Sequence, residues 1–212
     1  MERTIKIFTF MMIAGLIVAG CTHPADPAES AKKYPKTLSN IKELINKTTE
    51  AKNEFVAYSG SADQTNFNGI AKLFSAASKS EGIGLASLKE IYENLGFTPD
   101  SIQTGFEVEN NAANLKIGLK YQSYMLEKLP AFIADAKKEG EQNAETLFTR
   151  MLNTEKKYQD LFKKAMADST KDSPNLVKGY QVCSKCGSLT DAANAPKKCS
   201  VCGASKRKFI SL

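Results

Sequence analysis

Residues 183 to 203 read Cys183-Ser-Lys-Cys186-Gly-Ser-Leu-Thr-Asp-Ala-Ala-Asn-Ala-Pro-Lys-Lys-Cys199-Ser-Val-Cys202-Gly203. Two Cys-x-x-Cys units therefore stand twelve residues apart, and each is followed directly by a glycine. Each unit places two sulfurs on one tight turn, and the glycine lets the backbone fold its amides toward them. Two such turns can close a tetrahedral site of four thiolates, which suits zinc or iron.

Two disulfides are the alternative use of these cysteines, since an exported protein can meet an oxidising compartment. A disulfide inside a Cys-x-x-Cys unit closes a strained small loop, however, and a duplicated turn suits a metal better. The sequence therefore predicts a metal site made by Cys183, Cys186, Cys199 and Cys202.

The N-terminus has the parts of a secretory signal. Arg3 and Lys6 provide the basic start, an apolar stretch follows from Ile7 to Ala19, and small residues form the cleavage region. The signal ends in Val18-Ala19-Gly20-Cys21, which resembles the bacterial lipoprotein box. That resemblance implies that Cys21 is acylated and begins the mature chain, so the protein is expected to be exported and anchored to a bacterial cell-envelope membrane. An ordinary signal peptide, or a short anchor with an incidental cysteine, is the alternative.

Composition favours a mainly helical globular chain. The 212 residues are 42% hydrophobic and include no Trp, while Ala, Leu, Lys and Glu are plentiful and β-branched runs are few. The net charge of +6 is uneven, because seven Lys or Arg residues and one acidic residue, Asp191, lie between Lys178 and Leu212. The aromatic residues that a nucleic-acid surface would interleave with these charges are missing, so no nucleic-acid partner is expected.

Apolar residues recur at three- and four-residue steps in the middle of the chain. The pattern predicts amphipathic helices over about residues 38–58, 70–95, 108–138 and 144–165, the third bent near Pro130. An internal repeat relates the two pairs of helices. The motifs Asn40-Ile-Lys, Leu73-Phe74 and Glu81 recur 74 residues later as Asn114-Leu-Lys, Leu147-Phe148 and Glu155. A duplicated helix hairpin is the simplest account.

The connection between the hairpins decides the topology. Residues 96–107 carry Gly, Pro and Asp and show little periodicity. Extended over its full length, this segment reaches roughly 40 Å, about the length of the preceding helix, so the chain can return along the bundle. This is the long crossover of ferritin-like four-helix bundles.

The C-terminal residues resemble the rubredoxin-type domain of rubrerythrins. The likeness rests on both cysteine units with their glycines, on Tyr180, Ala195-Pro196 and Phe209, and it covers nearly all of residues 180–210. It departs at Ser184 and Ser200, where the family often has Pro, and at Ser188, where an aromatic is common. The resemblance implies one iron, cycling between ferric and ferrous states as a one-electron carrier, with zinc as the alternative metal.

The helical part is similar to the ferritin-like bundle of the same family, whose helices hold two irons through carboxylates and a Glu-x-x-His pattern. The matching residues are Ala51-Lys-Asn53-x-Phe55, Phe67-x-x-Ile70-Ala-x-Leu-Phe74, Pro130-x-Phe132 and Gly140. Most of the iron ligands that the family implies are replaced. The positions read Thr48, Glu81-Gly-Ile-Gly84, Glu155-Lys-Lys-Tyr158, and either Tyr121 with Tyr124 or Gln122 with Met125.

Only Glu81 and Glu155 therefore remain as a residual bundle site, and a di-iron centre is not expected. Two interpretations stay open. The carboxylates could form a weak or altered metal site with nearby tyrosines. Alternatively, Tyr121, Tyr124 or Tyr158 could hydrogen-bond them in a metal-free core, where burial should raise their proton affinity.

These observations predict a mainly α protein in five segments. They are a signal peptide at 1–20, a flexible tether at 21–35, a ferritin-like four-helix bundle at 36–168, a linker at 169–179 and a small rubredoxin-like β/loop domain at 180–212. The expected function is an envelope lipoprotein that passes single electrons to or from an unidentified redox protein, with the bundle as the platform of a homodimer. The alternatives are a rubrerythrin-type peroxidase and a structural zinc-ribbon lipoprotein.

Overall fold

A computed structural model describes residues 24–102, 105–168 and 179–212. The predicted signal peptide and Cys21 lie outside these residues. The described part is mainly helical with a small C-terminal sheet, which confirms the predicted fold class. Its helices are α1 (Pro27–Lys33), α2 (Pro35–Gln64), α3 (Asn68–Asn94), α4 (Asn111–Glu139) and α5 (Gln142–Asp168). None of the described helices is both long enough and apolar enough to cross a bilayer.

The four long helices form two hairpins, because α2 packs against α3 and α4 packs against α5. Each hairpin turns on a residue with left-handed backbone, Asn66 with φ 63° and Gly140 with φ 79°. These two residues stand 74 positions apart (140 − 66 = 74), the period of the sequence repeat. The hairpins therefore share a turn geometry as well as a sequence pattern.

The connection from α3 to α4 runs along α2. At its start Asp100 pairs with Lys42 at 2.9 Å, and further on the Phe106 ring lies 6.5 Å from the Tyr58 ring, centroid to centroid. The Lys42 and Tyr58 positions are separated by roughly 24 Å along a helix that rises 1.5 Å per residue. The chain thus returns along the bundle, and the predicted long crossover is confirmed.

Aromatic residues fill one end of the bundle. The Phe74 ring lies 5.6 Å from the Phe162 ring and 5.8 Å from the Phe55 ring, between centroids. Gly118 on α4 makes room for them, because a Cβ atom there would stand 2.4 Å from Cε1 of Phe162. Pro130 lies inside α4, and the helix continues through it to Glu139.

The segment that precedes the bundle differs from its prediction as a flexible tether. Asp26 caps α1 by accepting a hydrogen bond from the Ala28 amide at 2.8 Å, and the Ala25 amide donates to the Asn94 carbonyl at 3.0 Å. Gly96, with φ 90°, allows this approach, since a Cβ there would lie 2.3 Å from the Ala25 carbonyl oxygen. The described part of this segment is therefore helical and packed against the end of α3.

The C-terminal module is a three-stranded antiparallel sheet with its loops. Strands β1 (Tyr180–Cys183), β2 (Leu189–Asp191) and β3 (Phe209–Ser211) lie in the order β2-β1-β3. Tyr180, Val182 and Leu189 are buried in the same apolar cluster as the aromatic end of the bundle. The sheet therefore packs on the helices, chiefly on α3.

Candidate metal centre and bundle core

Each cysteine unit forms a tight turn closed by backbone hydrogen bonds. The Gly187 amide donates to the Cys183 carbonyl at 2.8 Å, and the Gly203 amide donates to the Cys199 carbonyl at 2.8 Å. Both glycines have left-handed backbone, with φ 77° and 71°. A side chain at either position would be strained, which explains the glycine after each unit.

The two turns bring four sulfurs together, as the sequence predicts. Cys183 Sγ lies 3.7 Å from Cys202 Sγ, and Cys186 Sγ lies 3.6 Å from Cys199 Sγ. All four sulfurs fall within 4.8 Å of one another. A tetrahedron of thiolates about 2.3 Å from a central ion has edges of ~3.8 Å, so the set fits zinc or iron. No two of these sulfurs are bonded to each other, so the structure shows four separate sulfurs rather than two disulfides.

The sulfurs differ in burial and acidity. Cys183 and Cys199 are buried, whereas Cys186 and Cys202 are partly exposed. Burial raises the pKa of Cys183 and that of Cys186. Burial opposes ionisation of Cys199 too, but the amides of Cys202 and Val201 donate to its sulfur and lower its pKa to about 7. Because a metal takes thiolates rather than thiols, the hydrogen bonds to the Cys199 sulfur favour the form that binds a metal.

Both cysteine turns are fastened to the helices. Ser80 on α3 donates its hydroxyl to the Gly187 carbonyl, and a Cβ on Gly187 would lie 2.8 Å from that hydroxyl oxygen. On the other side, Lys157 of α5 donates to the Ser200 hydroxyl. Sequence reasoning missed Ser80 and Lys157, because their roles depend on how the module sits against the bundle and no local pattern encodes that placement.

The structure brings the two residual glutamates of the bundle together. Glu81 is 3% exposed and Glu155 is 2% exposed, and each carboxyl group is close enough to the other to affect its pKa. Tyr121 donates its hydroxyl to Glu81 Oε2 at 2.8 Å. This contact agrees with the interpretation in which Tyr121, Tyr124 or Tyr158 hydrogen-bonds the buried carboxylates. The other two tyrosines bond elsewhere, since Tyr124 donates to Glu43 and Tyr158 donates to the Ala77 carbonyl at 3.4 Å.

Burial dominates the ionisation of this pair. It raises the pKa of Glu81 to about 7, against the opposing effect of the Tyr121 hydrogen bond. It also raises the pKa of Glu155, and the neighbouring negative charge of Glu81 adds to that rise. The predicted increase in proton affinity is thus confirmed in direction. A proton shared by the two carboxyl groups avoids burying two charges.

Several polar atoms around the pair have no hydrogen-bond partner among the described residues. They are Glu155 Oε2, Thr48 Oγ1 and both side-chain polar atoms of Gln122. Gln122 and Met125 are fully buried. Of the two alternative pairs that the sequence offers on α4, this pair therefore lies on the inward face. Gln122 also stands 74 residues after Thr48 (122 − 48 = 74), which makes it the counterpart of Thr48 in the second hairpin.

This donor set does not suit two irons. The buried centre offers two carboxylates, one amide and hydroxyls, whereas a di-iron site of the ferritin-like kind uses four carboxylates and two imidazoles. The single histidine of the chain, His23, precedes the described residues. Among the described residues, the one group of three or more clustered metal-ligating Cys, His, Asp or Glu side chains is the four-cysteine set.

Comparison with known families matches both parts of the chain. The model described as "Rubrerythrin" matches residues 45–166, and the model described as "Rubrerythrin, rubredoxin-like domain" matches residues 181–210. The first match covers the helical bundle with both glutamates. The second match covers all four clustered cysteines.

Individual relatives align over most of the chain at low identity. Nigerythrin of Nitratidesulfovibrio vulgaris is 26% identical over 188 residues, covering 87% of this chain and 90% of the relative. Rubrerythrin-2 of Clostridium acetobutylicum is 29% identical over 165 residues, covering 73% and 85%. The solved structure of mixed-valent nigerythrin has a TM-score of 0.75 at 24% identity, covering 83% of this chain and 86% of that one. A bacterioferritin of Mycobacterium tuberculosis reaches a TM-score of 0.60 at 16% identity, covering 70% and 90%. The structural likenesses concern the fold alone.

Proposed function

Because the chain belongs to the rubrerythrin family, we propose that it is an iron-binding one-electron carrier of the bacterial cell envelope. The observation that supports this function best is the convergence of four free cysteine sulfurs within 4.8 Å on two tight turns. Such a set holds iron without help from other side chains. We also propose that the family's di-iron centre has been lost here, since the bundle centre retains two carboxylates and no imidazole among the described residues.

The residues around the site define how it would work. Iron bound to Cys183, Cys186, Cys199 and Cys202 supplies a couple between the ferric and ferrous states. The amides of Cys202 and Val201 donate to the Cys199 sulfur and stabilise its negative charge. Cys186 and Cys202 are partly exposed, which gives an electron a short route between the sulfurs and a partner in solvent.

Metal analysis with a reductive titration tests this function. The full chain, expressed in iron-rich medium and purified in non-ionic detergent, should hold about one iron per chain and show visible absorption that one electron bleaches. Tightly bound zinc with no visible absorption would instead support the structural ribbon. About two further irons in the bundle, with rapid oxidation of the reduced protein by hydrogen peroxide, would support the peroxidase.

Lipid anchoring at Cys21 is a separate prediction that follows from Val18-Ala19-Gly20-Cys21. Replacing Cys21 by Ala should abolish acylation and leave a larger species that keeps the signal peptide. Globomycin, which blocks cleavage of a lipoprotein signal peptide, should also leave a larger species from the wild-type chain. Unchanged size in both experiments would contradict the lipoprotein box. The expected homodimer stays a prediction alongside it.

A further inference from the structure

A groove lies between α3 and the first cysteine turn. Its volume is about 540 Å³, and its lining includes three lysines, Lys52, Lys79 and Lys185, together with Ser184 and the apolar side chains of Ile83 and Ala86. No acidic side chain lines it. Lysine side chains beside accessible apolar side chains are a combination found on protein-binding surfaces.

The positive charge of this groove is uncompensated within the described part of the chain. Lys79 and Lys185 are exposed, and neither they nor Lys52 makes an ion pair with another described residue. The Lys52 stem crosses α3 above Gly82, since a Cβ on that glycine would lie 3.7 Å from Lys52 Cε. The Lys52 side chain therefore packs beside α3 and lines the groove.

The groove is also next to the metal site. Ser184 and Lys185 are the two residues between Cys183 and Cys186, and the Ser184 amide donates to the Lys208 carbonyl at 2.7 Å. An occupant that touches Ser184 is thus within two residues of two ligand sulfurs. The described residues 179–212 add a wider positive field, with six Lys or Arg residues against Asp191.

We propose that this groove docks the acidic face of a one-electron carrier protein, so that the carrier meets the four-cysteine site along its first turn. The proposal rests on the proposed function, because it assigns that site a partner. In the transfer, the reduced carrier would lose one electron, and ferric iron held by the four thiolates would gain it and become ferrous, with no bond made or broken. Lysines around a redox site would speed the encounter and set its orientation, and salt would weaken both effects.

An anionic membrane is the other large negative surface that an anchored protein would meet. The shape of the site argues against it, since a bilayer surface is flat and cannot fill a concave groove. The apolar side chains of Ile83 and Ala86 in the lining also favour a protein, because a headgroup layer would give them no apolar partner.

The test uses the full chain with zinc in the four-cysteine site, so that binding is measured while no electron moves. The probe is a flavodoxin of net negative charge, titrated calorimetrically at several salt concentrations. One variant carries Lys52→Gln, Lys79→Gln and Lys185→Gln. The matched control carries Lys116→Gln, Lys137→Gln and Lys138→Gln, which are exposed on α4, away from the groove.

We expect the wild-type chain and the control to bind the flavodoxin with an affinity that falls as salt rises, and the groove variant to bind about tenfold more weakly with a shallower salt dependence. Equal losses in the two variants, or no binding by the wild type, would overturn the proposal. If the groove variant instead lost binding to phosphatidylglycerol vesicles and bound flavodoxin as well as the wild type does, the groove would be a membrane-binding surface and the proposal would be wrong. Reversible one-electron reduction of the iron-loaded chain by dithionite is measured in parallel. If that reduction fails, the proposed function is wrong. If the reduction succeeds and flavodoxin does not bind, only the proposed docking surface is wrong.

Discussion

Replacing Cys199 by Ala should empty the four-cysteine site, lowering bound iron from about one per chain to less than about a tenth. Cys199 is buried and is the ligand whose pKa is lowered, to about 7, by amides of its own turn. Without it, three sulfurs remain around an open position, and the second turn contributes Cys202 alone. Metal content per chain and the visible absorption measure the loss.

The same variant should unfold the C-terminal module while leaving the bundle intact. Residues 179–212 bury few large apolar side chains, chiefly Tyr180, Val182 and Leu189, and so small a core does not hold a fold without a metal or another cross-link. Hydrogen exchange should show lost protection in β1, β2 and β3 and unchanged protection in α2 to α5. Val201→Ala is the matched control, since it changes the same turn without removing a sulfur. Full iron content in Cys199→Ala would contradict a site that needs all four thiolates.

The double variant Glu81→Gln, Glu155→Gln should remove a pH dependence from the stability of the bundle. The folded pKa of Glu81 is raised from 4.5 to about 7. Protonated Glu81 therefore contributes its full stabilisation below the unfolded pKa, and that contribution is lost as pH rises through the folded pKa. Over that window the wild-type free energy of unfolding should fall by about 3 kcal/mol more than that of the variant. At pH 8 the variant should be the more stable protein, because the amides carry no buried charge.

Urea denaturation at pH 4.5, 6, 7 and 8, followed by helical circular dichroism, measures this difference. Glu90→Gln with Glu93→Gln is the control, since both glutamates are exposed on the same helix. Chelation should leave the helical content of wild type and variant unchanged, and both should consume hydrogen peroxide equally slowly. A variant that loses stability at every pH together with two bound irons would mean that Glu81 and Glu155 are metal ligands after all.

The long helices and the four-cysteine site could be predicted because each depends on a local pattern. Residues such as Leu73, Phe74 and Leu88 recur at helical steps and are fully buried. The cysteine turns encode their own geometry through Gly187 and Gly203. The crossover was predictable too, since its length matches the helix that it must follow.

The rest depends on contacts between distant segments. One step along α4 rotates a side chain by about 100°, so Tyr121 and Gln122 both border the core and the sequence could not rank them. Tyr121 donates a hydrogen bond to Glu81, whereas Gln122 is fully buried. The segment before the bundle looked like a linker because its stabilising contact is with Asn94, far along the chain. Ser80 and Lys157 could not be predicted for the same reason, because they contact the cysteine turns from distant parts of the chain.

The hydrogen bond from the Ala25 amide to Asn94 places the start of the described chain at the end of α3. If Cys21 carries the lipid, three residue steps separate it from Pro24, and extended chain covers at most ~11 Å in that span. The Ala25 amide is already bonded to Asn94, and Ser80, which holds the first cysteine turn, lies about 21 Å further along α3 at 1.5 Å per residue. The bundle would then be connected to the membrane through a short segment. The four-cysteine site would then be held within a limited distance of the membrane.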